Sequence, residues 1–123
     1  MTERRKGINL KKGRVPSTLY WGVLGNKVVG RLDIRQKPSK LLSATGGYIG
    51  YAVVPRERRK GYGTEMLRLG LRKAKKFYNK KIIITCLETN IGSRKIIENN
   101  GGIFINKMKN EEGETMLRFW IHL

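Results

Sequence analysis

Cysteine, proline and long apolar runs are scarce in this sequence, and each scarcity narrows the class of protein. The single cysteine, Cys86, cannot form an intramolecular disulfide, which fits a reducing cytoplasm. No apolar run approaches the ~20 residues that a membrane-spanning helix needs, and the charged residues 1–7 lack the apolar run of a secretory signal. Three prolines and a hydrophobic content of 39% argue against wholesale disorder. We therefore expect a soluble, globular, cytoplasmic protein with no membrane partner.

Acidic residues are also few, because nine Asp and Glu stand against 27 Lys and Arg, for a formal net charge of +18. Such a charge fits a nucleic acid, an anionic membrane surface or an acidic protein partner. The basic residues are scattered through the whole chain, and no zinc-finger, RNP or basic-zipper pattern accompanies them. Nucleic acid is therefore the lesser interpretation of the charge, although it is not excluded.

The 123 residues are enough for one domain with a modest core. Residues 1–14 are polar and basic, and we interpret them as an N-terminal arm. β-type residues then occupy 19–24 and 27–35 on either side of Gly25-Asn26, which predicts a hairpin. Downstream, the patterns predict a strand at 48–54, a helix at 63–78, a strand at 81–87, a helix at 93–99, and a hairpin of strands at 103–109 and 115–123.

The predicted order is ββ-β-α-β-α-ββ, which places the chain in the α/β class with mixed α+β character. A strand, a helix and a strand in succession imply a parallel strand pair with a right-handed crossover. We therefore expect a mixed, mostly antiparallel sheet whose central parallel pair is formed by 48–54 and 81–87.

A basic loop with two glycines joins strand 48–54 to the helix that follows. Arg58, Arg59 and Lys60 supply three cations, while Gly61 and Gly63 allow backbone conformations that a side chain would penalise. The N–H groups of such a loop and of the helix's first turn make a concave site for phosphate oxygens. The alternative is an exposed turn that uses glycine for its geometry.

Two segments of the chain resemble the GNAT superfamily of acyl-CoA N-acyltransferases. Val53-x-Pro55-x-x-Arg58-x-x-Gly61-x-Gly63 is similar to the loop that binds the pyrophosphate of coenzyme A, and residues 90–102 are similar to the family's Asn-x-x-Ser helix that ends in a glycine. The two segments occur in the family's order, and the resemblance covers roughly residues 15–123. It implies a GNAT-like fold and acetyl-CoA as the cofactor.

Members of this superfamily usually begin with a further strand and one or two helices, which form one wall of the acceptor site. About fifteen residues precede the first predicted strand here, too few for those elements. The chain is then a short variant or incomplete, or a second subunit supplies the wall. Sheet surface left exposed by the missing elements would favour a homodimer as cover.

The resemblance also implies the residues that bind acetyl-CoA. Backbone groups of Tyr51 and Val53 would contact the pantetheine arm. Asn90 and Ser93 would contact its end or position a base through water, with turn and cap roles as the alternative. The implied pyrophosphate-binding residues are Arg58, Arg59, Lys60, Gly61, Tyr62, Gly63 and Thr64.

Acetyl transfer to an amine needs a neutral nucleophile and a route for the thiolate to leave. Holding an amine of pKa ~10.4 neutral at pH 7 costs about 4.6 kcal/mol, so a base or a desolvated site is needed. Glu88, at the end of the central strand, is the candidate base, with an exposed loop carboxylate as the alternative. Many family members carry a general-acid tyrosine where this chain has Ile97. Tyr51, Tyr62 or a water could take its place.

Three functions follow from these observations. The leading one is an N-acetyltransferase that moves an acetyl group from acetyl-CoA to a primary amine by direct attack. The first alternative is a non-catalytic domain that binds coenzyme A, and the second is a basic nucleic-acid-binding domain. The acceptor stays open, although the net charge favours an acidic one. No metal site is proposed.

Overall fold

A computed structural model of the chain describes residues 8–12, 19–35, 47–58, 60–76 and 80–123. Within these residues, one seven-stranded sheet has the strand order β1-β2-β3-β4-β5-β7-β6. The elements in chain order are β1 (Ile8–Lys12), β2 (Leu19–Leu24), β3 (Lys27–Arg35), β4 (Gly47–Val53), a 3₁₀ turn (Pro55–Glu57), α1 (Tyr62–Ala74), β5 (Lys81–Leu87), α2 (Ile91–Asn99), β6 (Ile103–Lys109) and β7 (Thr115–His122).

The predicted mixed, mostly antiparallel sheet is confirmed. β4 and β5 form its parallel pair, while the other neighbouring strands are antiparallel. Gly25 turns β2 into β3 with a φ of 60°, and Gly113 turns β6 into β7 with a φ of 80°. Both turns use the left-handed backbone region that glycine adopts without penalty.

The interpretation of residues 1–14 as an arm is corrected by β1. Ile8 to Lys12 pair antiparallel with β2, from Ile8↔Leu24 to Lys12↔Tyr20, and Ile8 lies in the core with 1% exposure. The first strand that the sequence analysis considered missing is therefore present. It was missed because Ile8 and Leu10 are its only apolar residues, too few to establish alternation. The six residues between β1 and β2 lie outside the described residues.

The core lies between the sheet and the two helices, which pack on one face. Met66, Leu67 and Ala74 of α1 are fully buried, as is Ile97 of α2. α1 approaches the sheet closely at Gly70, where an added Cβ would lie 2.5 Å from a methyl group of Leu32. Within the described parts of the chain, neither helix combines the length and hydrophobicity that a membrane span requires.

Candidate active site

The two parallel strands at the centre of the sheet separate at one end. β4 and β5 are paired only from Gly47↔Ile82 to Ile49↔Ile84. β4 then continues to Val53 and β5 to Leu87 without further pairing between them. The sheet therefore has an opening between its central strands, at the end where both strands lead into helices.

The N-terminus of α1 lies beside this opening and has no side-chain cap. Gly61 occupies the cap position with a φ of 82°, and among the described residues no side chain accepts a hydrogen bond there. The Glu65 N–H donates to the Gly61 carbonyl at 3.2 Å, the first hydrogen bond of the helix. The N–H groups of Tyr62, Gly63 and Thr64 precede that bond and have no acceptor within the helix. An uncapped helix start of this kind can bind an anion.

The cations of the preceding loop are held by neighbouring groups. Lys60 Nζ lies 3.1 Å from Glu57 Oε1, and Lys27 Nζ lies 3.2 Å from the same oxygen. Glu57 is 4% exposed. The hydrogen bond from Lys60 is the main cause of its lowered pKa, and Lys27 adds to the effect. Arg58 Nε donates to the Val53 carbonyl at 3.1 Å. These bonds fasten the loop to β4 and to the start of β3.

One predicted residue of the loop is not described by the structure, and one buried residue of the loop was not predicted. Arg59 lies outside the described residues. Glu57 was not assigned any role from the sequence, because a glutamate between two arginines gives no signal of burial. Glu57 is buried and forms ion pairs with Lys27 and Lys60, and these contacts hold the loop in place.

Gly63 brings the first turn of α1 against its neighbours. A Cβ at this position would lie 2.4 Å from Ile96 Cδ1 and 3.3 Å from Val53 Cγ2. Asn100 Nδ2 donates to the Thr64 carbonyl at 3.1 Å and ties the end of α2 to the same turn. The glycine at this position therefore serves helix packing as well as the loop.

The start of α2 carries the second group of predicted residues. Asn90 Oδ1 accepts a hydrogen bond from the Ser93 N–H at 3.0 Å, so Asn90 caps the helix. Tyr51, on the separated part of β4, places its hydroxyl 2.6 Å from Ser93 Oγ and donates to the Ser93 carbonyl at 3.2 Å. Burial raises the pKa of Tyr51 to about 12, against a smaller lowering by the Ser93 hydrogen bond. The hydroxyl is therefore protonated at neutral pH.

The structure places the other candidates for proton transfer less centrally. Glu88 is exposed and forms an ion pair with Lys107, whose hydrogen bond and charge lower the Glu88 pKa. A carboxylate with a lowered pKa is a weaker base. Ile97, at the position of the family's usual tyrosine, is fully buried in the core. Tyr62 is partly buried and packs against the core. Burial is the largest influence on Cys86 and raises its thiol pKa.

No metal site accompanies these residues in the described ranges, where no three His, Cys, Asp or Glu side chains cluster closely enough to hold an ion. The candidate site therefore consists of the strand opening, the uncapped start of α1 and the Tyr51–Ser93 pair. These groups are suited to binding an anion and to donating hydrogen bonds.

Comparison with solved structures shows the same fold in known acetyltransferases. An acetyltransferase (GNAT family) from Bacillus anthracis is 22% identical to this chain and superimposes with a TM-score of 0.70. The match covers 86% of this chain and 66% of the Bacillus anthracis chain. RimJ from Mycobacterium smegmatis, in complex with CoA-disulfide, shares 22% identity and a TM-score of 0.69, with coverages of 85% and 53%. The ribosomal-protein-S5-alanine acetyltransferase from Vibrio fischeri shares 16% identity and a TM-score of 0.70, with coverages of 85% and 60%.

The present chain thus spans between 53% and 66% of the length of those three proteins. A comparison with curated proteins gave no significant match. The model of the acetyltransferase (GNAT) family matches residues 3–101, which include the strand opening, the loop and both helices. The chain therefore belongs to the GNAT acetyltransferase family.

Proposed function

We propose that this protein is an N-acetyltransferase that transfers an acetyl group from acetyl-CoA to a primary amine by direct attack. The observation that carries the proposal is the uncapped N-terminus of α1 beside the opening between β4 and β5. The uncapped helix start can bind a phosphate group, and the opening between the strands can admit an extended, unbranched part of a ligand. Acetyl-CoA has both parts, a pyrophosphate and an extended pantetheine arm.

The residues present fit this cofactor. The free N–H groups of Tyr62, Gly63 and Thr64 would hold the pyrophosphate, and the positive φ of Gly61 turns the backbone toward it. Arg58 and Lys60 would add positive charge from the loop, and we retain Arg59 in the same role. Backbone groups of β4 beyond Ile49 have no β5 partner, which supports the proposed pantetheine contacts at Tyr51 and Val53. A contact at the Val53 carbonyl would compete with its bond from Arg58.

Bound acetyl-CoA would supply the thioester, whose carbonyl carbon forms the new C–N bond as its C–S bond breaks and the thiolate leaves. Tyr51 would stabilise developing negative charge by turning its single O–H from the Ser93 carbonyl toward the thioester. Complete proton transfer from a hydroxyl of pKa about 12 to a thiolate of pKa ~8.5 is uphill by about 5 kcal/mol. Tyr51 is therefore proposed as a hydrogen-bond donor that keeps its proton. Ser93 would hold its hydroxyl in position.

Glu88 is retained as the proposed base, since it ends the strand that borders the opening. Its lowered pKa makes Glu88 a weak base, so it would take the amine's proton only as the C–N bond forms and pass it through water to the departing thiolate. For the acceptor we propose an amine of a protein. The name of the Vibrio fischeri structure, a ribosomal-protein-S5-alanine acetyltransferase, supports this class.

The test is a transfer assay with acetyl-CoA and a panel of peptides and small amines, in which free thiol release and acetylated product are measured together. The proposal predicts equal amounts of thiol and acetylated amine. Product formation should depend on Gly61, so that Gly61→Glu gives neither. Thiol release without an acetylated amine would show hydrolysis and contradict the proposal.

A non-catalytic coenzyme A-binding domain is the second candidate. The observation that favours it is the burial of Ile97 where the family's usual tyrosine would stand. It predicts binding of acetyl-CoA with no acetylated product from any amine of the panel.

A further inference from the structure

A groove of about 260 Å³ crosses the face of the sheet opposite the helices, over β2, β3 and β4. The strand register places Trp21, Arg31 and Ala52 side by side, one on each strand. Their neighbours Gly22 and Leu32 face the other way, toward Met66 and Gly70 of α1. The groove is therefore separated from α1 by the thickness of the sheet.

This groove adjoins the opening between the central strands. Ala52 and Val53 line it, and both belong to the part of β4 that has already separated from β5. The start of α1 lies at the same opening on the helix-covered face. An acetyl group brought in from the α1 side would thus be accessible to a nucleophile lying in the groove.

The chemistry of the groove combines apolar surface with positive charge. The Trp21 side chain is 40% exposed and Val28 is 45% exposed, high values for large apolar residues. Arg31 and Arg58 line the same groove, and within the described residues neither has a carboxylate partner. Glu57, the acidic residue next to Arg58, is buried and paired with Lys27 and Lys60. The acidic residue nearest to Arg31 along the chain is Asp33, two positions further on the same face of β3. The Arg31 guanidinium is therefore available to an external anion, whereas Arg58 donates to the Val53 carbonyl and is assigned to the pyrophosphate.

We propose that this groove binds the acceptor as a short polypeptide segment and selects an acidic residue next to the acetylated amine. A guanidinium binds a carboxylate through two parallel hydrogen bonds, and an indole packs on the peptide beside it. The groove volume lies below the ~300 Å³ at which pockets for drug-sized ligands begin, which suits one or two side chains of an extended segment. The inference rests on the proposed function, because it concerns the acceptor of that site.

The experiment measures binding of two fluorescein-labelled peptides by anisotropy, with coenzyme A present. The acidic peptide has one lysine flanked by glutamates, and its counterpart has glutamines in those places. We expect the wild type to bind the acidic peptide more tightly than the glutamine peptide. Arg31→Glu should lower the affinity for the acidic peptide about tenfold, because a like charge then faces its carboxylates. Arg31→Gln should lower the affinity for the acidic peptide by a smaller factor, and Trp21→Ala should lower the affinity for both peptides by the same factor.

The matched control is Lys75→Glu, which makes the same change in net charge at the exposed C-terminal end of α1, on the face of the sheet away from the groove. Because salt screens charges beyond ~8 Å, this control should weaken binding of the acidic peptide by no more than about twofold. Equal losses for Arg31→Glu and Lys75→Glu would assign the preference to overall charge and overturn the proposal. Equal wild-type affinity for the two peptides would also overturn it.

A thermal-shift measurement with acetyl-CoA separates this inference from the proposed function. Arg31 is exposed and away from α1, so Arg31→Glu should show the wild-type shift. If acetyl-CoA shifts neither protein, the proposed function fails, whatever the peptide results. If both proteins shift and the peptide preference is unchanged in Arg31→Glu, only the groove assignment fails.

Discussion

The hydrogen bond between Tyr51 and Ser93 joins the separated part of β4 to the first turn of α2. At 2.6 Å it is a short hydroxyl contact, and Tyr51 is held there with its pKa raised to about 12. The sequence pointed to both residues, but through different arguments, and nothing in the pattern paired them. Residues 42 positions apart meet only because β4 and α2 border the same opening.

Removing this hydroxyl with Tyr51→Phe should lower the free energy of unfolding by about 1 kcal/mol at pH 7, since a partly buried hydrogen bond is lost. Acetyl-CoA binding should persist, because the pyrophosphate contacts lie on α1. Turnover should fall if the hydroxyl stabilises developing charge. Urea unfolding, thermal shift and the transfer assay measure the three effects.

The raised pKa also fixes how the stability difference between wild type and Tyr51→Phe depends on pH. A tyrosine titrates near 10 in the unfolded chain and about 12 here, so its contribution is constant below pH 10. Above pH 10 the unfolded chain loses the phenol proton before the folded one does. The stability of the wild type relative to Tyr51→Phe should therefore fall by about 2 kcal/mol between pH 10 and 12, which reverses its advantage of about 1 kcal/mol at pH 7. Parallel stability curves for the two proteins across that range would contradict the assignment.

Among the elements, the two helices begin in opposite ways. α2 is capped by its own Asn90, whereas α1 starts at Gly61 with no side-chain cap. The sequence predicted both starts to within two residues, because the glycine and asparagine signals are local. It did not predict β1, whose place depends on pairing with β2 rather than on a pattern of its own. The ion pairs of Glu57 were equally hidden, since Lys27 lies 30 residues away along the chain.

If Asn90 acts as a cap, Asn90→Ala should cost about 1 kcal/mol of stability and Asn90→Asp should cost little, because aspartate caps equally well. Chemical denaturation of the three proteins measures this directly. Acetyl-CoA should still shift the melting temperature of Asn90→Ala. Loss of that shift would instead assign Asn90 to the cofactor site.

Over the whole molecule, the helices cover one face of the sheet, and the opposite face carries the groove with Trp21 and Arg31. The sequence predicted the mixed sheet and the place of the parallel pair, because alternation and the strand-helix-strand order are visible in the residues. The opening between β4 and β5 has no signal in the residues, because it depends on where the pairing of the two strands stops. The groove could not be predicted, since it depends on the register of three strands. Homodimer formation stays a prediction.

The net charge of +18 acts on any anionic ligand, so binding of acetyl-CoA alone would not locate its site. A site-specific substitution with a matched control is needed. Gly61 and Gly113 have nearly the same φ, 82° and 80°, one at the start of α1 and the other in the β6–β7 turn. A glutamate at either position introduces the same charge and similar backbone strain.

The most direct test of the proposed cofactor site is therefore a thermal-shift titration with acetyl-CoA on the wild type, Gly61→Glu and Gly113→Glu. Ligand at 100 times the dissociation constant stabilises a binding-competent protein by about 2.7 kcal/mol. We predict that the wild type and Gly113→Glu shift and that folded Gly61→Glu does not. Equal shifts in all three proteins, or no shift in any, would contradict an acetyl-CoA site at the start of α1.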